Sequence, residues 1–161
     1  MSSTIRGNDN FDTASPSVTL LGTITLSGSG TTLSNLDLTD YAFLRVDFIA
    51  CRLNVNSWAN IGGTQNQGAR AVFNQSTGNG VSTYGGFCSV TIDLSTGYAY
   101  STPTRMCNID ASTGETAPAA VSDTYSGGTR VFITNSSTSV PLYARNGYQF
   151  AAGTAKIWGI K

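Results

Sequence analysis

Apolar and polar residues alternate along this chain with a period of two. Val18, Leu20, Ile24 and Leu26 fall on one face of a strand, and Thr19, Thr23 and Thr25 fall on the other. Ser27-Gly28-Ser29-Gly30 is a turn, and a short strand is expected between Thr31 and Leu38. The strongest signal runs from Tyr41 to Val55. There Leu44, Val46, Phe48 and Ala50 share one face and Arg45 and Asp47 the other. That run is long for one strand, so a bulge or bend is expected near Ala50 to Arg52. Asn56 to Gly68 and Gln75 to Gly86 read as polar loops flanking a short strand at Ala69 to Asn74.

Cys88, Val90, Ile92 and Leu94 alternate with Ser89, Thr91 and Asp93. Ser95-Thr96-Gly97 then turns the chain into Tyr98 to Ser101, a hairpin. Further strands are expected at Arg105 to Ile109, Arg130 to Thr134, Val140 to Ala144 and Ala155 to Ile160, with a brief pairing at 148–151. Asp110 to Gly128, with Pro118 inside it, reads as loop. Short strands with repeated turn signals predict an all-β fold, an antiparallel β-sandwich or jelly roll over residues 17–161. Residues 1–16 have no hydrophobic period and are expected to form an extended N-terminal arm, with Ile5, Arg6 and Phe11 as its attachment residues.

Composition agrees with strands and turns. Only 11% of residues are charged, Gly occurs 18 times, and Ser and Thr fill the remainder. Nine basic and nine acidic residues cancel. The arginines are scattered singly and no basic stripe exists, which argues against nucleic-acid binding. A neutral chain also lacks long-range self-repulsion. No apolar run approaches the roughly 20 residues of a membrane span, and the opening Met1 to Arg6 has no apolar run, so no secretory leader is expected. Cys51, Cys88 and Cys107 are odd in number and widely spaced, so reduced thiols are expected rather than a disulfide framework or a zinc site.

The chain has no histidine, which removes the Ser-His-Asp and Cys-His arrangements. No nucleophile constellation, metal-ligand spacing or phosphate-binding glycine motif is present, so no catalytic residue, metal or cofactor is expected. Asn8-Asp9-Asn10 lacks the spacing of a calcium loop. A carboxylate pair brought together in space would be the one route to chemistry, that of sugar cleavage. Asp37, Asp40, Asp9 and Asp12 sit in turn contexts that already account for them. Aromatic residues in or beside loops, with amides nearby, are the expected binding groups: Trp58, Asn60, Gln65, Tyr84 and Tyr98.

Three stretches together resemble a known group. They are Leu36-Asp37-Leu38-Thr39-Asp40-Tyr41-Ala42-Phe43-Leu44-Arg45, Ile92-Asp93-Leu94-Ser95-Thr96-Gly97, and the ending from Phe150 through Ile157-Trp158-Gly159-Ile160-Lys161. They are similar to β-sandwich domains at the ends of bacteriophage tail-fibre and other virion proteins, and Ile5 to Asp12 resembles the starts of short phage structural proteins. Residues 56–86 depart from that pattern. The resemblance implies a non-enzymatic virion protein assembled in the host bacterial cytoplasm, often trimeric. It would contact other virion proteins and a host surface glycan or protein. A tail-fibre or receptor-binding component is the first expectation. A capsid decoration or head-fibre protein is the second, and a carbohydrate-active enzyme or a lectin-like domain unrelated to phage comes after them.

Overall fold

A computed structural model describes residues 17–55, 58–64, 67–71, 86–101, 107–109, 116–118 and 129–161. The arm with Ile5, Arg6 and Phe11 lies outside these residues. The strands are β1 (Val18–Thr25), β2 (Gly30–Ser34), β3 (Phe43–Leu53), β4 (Ala59–Thr64), β5 (Gln67–Ala71), β6 (Gly86–Asp93), β7 (Tyr98–Ser101), β8 (Cys107–Ile109), β9 (Thr116–Pro118), β10 (Thr129–Arg130), β11 (Ser139–Ala144) and β12 (Phe150–Ile160). Among the described residues the only helical turn is a 3-10 turn at Arg145–Gly147. The chain is all-β, as its alternation predicts.

Two antiparallel sheets carry the fold. One has six strands in the order β1-β12-β3-β6-β7-β10, and the other has four in the order β2-β11-β4-β5. β8 and β9 form a separate two-stranded ladder. Inward side chains of both sheets join one buried cluster, with Leu44, Val46, Phe48, Val90, Ile92 and Ile157 from the first and Ile61, Val140 and Leu142 from the second. Cys88, Val90, Ile92 and Leu94 are all buried, as their alternation requires. The hairpin closes where the turn residues place it. The Gly97 N–H donates to Asp93 O at 2.8 Å, and Gly97 takes a φ of 69°, a left-handed angle that glycine adopts without a Cβ penalty.

The bulge expected in the long strand falls between Phe48 and Cys51, and it changes which residues face inward. Ala50 is exposed with a φ of 51°, so it leaves the face of Leu44, Val46 and Phe48. Cys51 and Leu53 continue the buried set instead. β12 shifts register opposite this point, on both sides of Ala152, and Gly153 has a φ of 124°. β1 is broken in the same way. Leu20 pairs with Trp158 and Gly22 with Ile157, so Leu21 is the extra residue. Ile24 and Leu26 therefore turn toward the core, while Val18 and Leu20 turn away from it at 49% and 46% exposure. The even-numbered set is split between two faces, because one inserted residue reverses every side chain beyond it.

Other expectations move as well. The polar stretch 56–68 contains β4 and the start of β5, because Ala59 and Ile61 fill the core opposite Ala144 and Leu142. Thr116–Pro118, expected in a loop, pairs with Cys107–Ile109. The strand expected at Arg130 to Thr134 stops at Arg130, and Phe132 has a φ of 59° that breaks the extended backbone. The two terminal pairings merge into the single strand β12, which joins β1 to β3.

Candidate binding surfaces

Each described acid is held by a structural partner. Asp37 accepts the Thr39 backbone N–H at 3.1 Å and its hydroxyl at 2.6 Å, and those bonds to the charged form lower its pKa. Asp93 accepts the hydroxyl and N–H of Ser95 at 2.6 and 2.8 Å, and its pKa is lowered by the same cause. Asp47 accepts the Ser89 hydroxyl at 2.7 Å and lies 3.3 Å from Arg45 Nε. Asp40 lies 3.3 Å from Lys161 Nζ. No group of three metal-ligating residues occurs among the described residues. Asp9, Asp12, Asp110, Glu115 and Asp123 lie outside them.

Cys51 and Cys88 are buried thiols that form no disulfide. Burial pushes Cys51 up to about 12, against an ordinary value of 9.0. The neutral thiol is thus favoured by folding. Its contribution is complete below pH 9 and is lost as pH rises through the folded value. Stability should fall more steeply in the wild type than in Cys51→Ala between about pH 9 and pH 10.5, by roughly 2 kcal/mol. Urea unfolding at a series of pH values measures the difference, and parallel curves would refute the assignment.

The expected binding aromatics separate. Trp58 precedes β4 and Asn60 lies within it. The Arg145 guanidinium lies 3.6 Å from the Trp58 ring centre, and the Arg145 backbone N–H donates to Trp58 O at 3.1 Å. One face of the indole is therefore covered from within the chain. Asn60 is only 2% exposed, so its amide sits inside the protein rather than on a contact surface. Tyr143 lies across Gly30, where an added Cβ would come within 2.6 Å of its ring. Tyr98 is 41% exposed at the start of β7. Gln65 and Tyr84 lie outside the described residues.

A second surface is the outer face of the six-stranded sheet. Ala155, Ile157 and Gly159 are buried, so Lys156, Trp158 and Ile160 face the other way. Backbone register lines up Val18, Ile160, Phe43, Asp93 and Tyr98 across five strands. The next row holds Leu20, Trp158, Arg45 and Thr91, and the row beyond it Thr23, Lys156, Asp47 and Ser89. Phe43 is 41% exposed, and the Arg45 guanidinium carbon lies 5.4 Å from the Trp158 ring centre. Alternation read as a single phase conceals this patch. The doublet Leu20-Leu21 before Gly22 is the sequence signal for the phase change.

No family model, curated protein or solved structure matches the chain.

Proposed function

We propose that the chain is a non-catalytic structural component of a bacteriophage particle, most simply a small tail-fibre or receptor-binding part. In this reading its two sheets form an antiparallel β-sandwich, and residues 1–16 attach it to other virion proteins. One observation carries the reading: the three stretches that resemble virion domains converge at one end of the six-stranded sheet. Tyr41 of the first lies against Gly159 of the third, where an added Cβ would come within 2.5 Å of the ring. The Ala42 N–H donates to Ile160 O at 2.8 Å, and the Leu94 N–H of the second stretch donates to Ala42 O at 3.0 Å. Lys161 reaches back to Asp40 at 3.3 Å. Residues far apart in sequence thus form one local structure, a reason for them to recur together. Each described acid also has a structural partner, which fits a scaffold better than a carboxylate dyad.

Virions purified from a host that carries this gene should contain the chain when analysed by mass spectrometry, and its absence from intact particles would overturn the proposal. A gold-labelled antibody should mark fibre tips. Label spread over the shell would assign the chain to capsid decoration instead.

A further inference from the structure

We propose that the outer face of the six-stranded sheet is covered by a second copy of this chain. Four of the six exposed large hydrophobic residues among the described residues lie there, Phe132 and Tyr148 being the other two. Val18, Leu20, Phe43 and Tyr98 are 41–49% exposed, and Trp158 and Ile160 lie half-buried between them in the same rows. Outward positions of the four-stranded sheet are different. They mix the small polar Thr32, Ser34 and Ser139 with Pro141 and Tyr143, which are half-buried rather than exposed. Contiguous exposed apolar patches rimmed by polar residues mark contact sites. This one is rimmed by Thr23, Lys156, Asp47 and Ser89.

Charge and area select the occupant. The three rows carry two cations, Arg45 and Lys156, and two anions, Asp47 and Asp93, with Arg52 further along β3, so charges of both signs lie on this face. The whole chain has nine charges of each sign. Two such faces meet without net repulsion, as an isologous contact requires. A strongly charged partner would find nothing to steer it. Five strands at about 4.8 Å spacing and about 17 Å along the strands, the span of the three rows, give on the order of 400 Å² in projection. That is about half of the roughly 800 Å² per partner of a standard interface, the size of a weak, concentration-dependent contact. The free edge of the sheet offers a poorer contact, because the Leu21 bulge interrupts β1 there.

Sedimentation of the full chain tests the proposal. The wild type should associate at concentrations up to about 100 µM, and Leu20→Lys with Phe43→Lys should weaken association at least about 100-fold. Thr32→Lys on the other sheet should leave it unchanged. Both target side chains are exposed, so unfolding midpoints should stay close to wild type. Should the lysine pair fail to fold, Val18→Thr with Leu20→Thr is read in the same way. A monomeric wild type at about 100 µM, or association indifferent to the face variants, would overturn the assignment.

Discussion

Phe48→Ala should lower the unfolding free energy by about 3–5 kcal/mol. Phe48 is the largest of the fully buried side chains among the described residues, with 0% exposure. It stands on β3 between β12 and β6, paired with Ala155 on one side and Cys88 on the other. These neighbours are small, so they cannot collapse into the volume a ring leaves, and the cavity cost adds to the lost transfer energy. The site lies two residues before the bulged Ala50, where the ladder is already interrupted and gives less support. Urea unfolding should show a lower midpoint with little change in slope. A loss under about 1 kcal/mol would mean that the two sheets repack across the gap.

Gly153→Ala should cost about 2–5 kcal/mol through a different mechanism. The φ of Gly153 is 124°, a backbone angle that side chains rarely adopt, and a Cβ would stand 2.5 Å from Cys51 Sγ and 2.6 Å from Cys51 Cα. The second contact is with backbone, so no rotamer change relieves it. The strain should be read locally as well. The Leu26 N–H donates to Gly153 O at 2.9 Å, so its hydrogen exchange should accelerate in the variant. Cys51→Ala removes only the sulfur clash. The double variant should therefore recover part of the cost, about 1 kcal/mol, and strict additivity of the two substitutions would show that they do not touch.

Both predictions rest on places where two strands change register together. Their legibility in the sequence was unequal. The length of the run from Tyr41 to Val55 announced a bulge near Ala50, because a strand that long seldom stays regular. Which residues would face inward past it was not legible, since Ala50 fits a core position as well as an exposed one. β4 was hidden for a related reason: Gly62 and Gly63 read as loop punctuation, yet Gly62 is buried with a φ of 69° against Val131. Trp58 and Asn60 were recognisable as polar-aromatic residues near a loop. The stacking of Trp58 depends on Arg145, more than eighty positions later in the chain, and Asn60 is buried within a four-stranded sheet that only the fold assembles. The exposed face of Val18, Leu20 and Phe43 was missed because apolar residues at period two are normally assigned to the core.

The sequence by itself determined the all-β class, the hairpin at Asp93 to Tyr98 and the buried alternation of β6. Each depends on neighbouring residues: side-chain period, turn chemistry and glycine's tolerance of positive φ. Tertiary structure alone decided the phase of β1 and β3, the placing of β12 between them and the face on which each apolar residue ends. A bulge reverses the face of everything beyond it, and its position is set by pairing with a strand more than a hundred residues away.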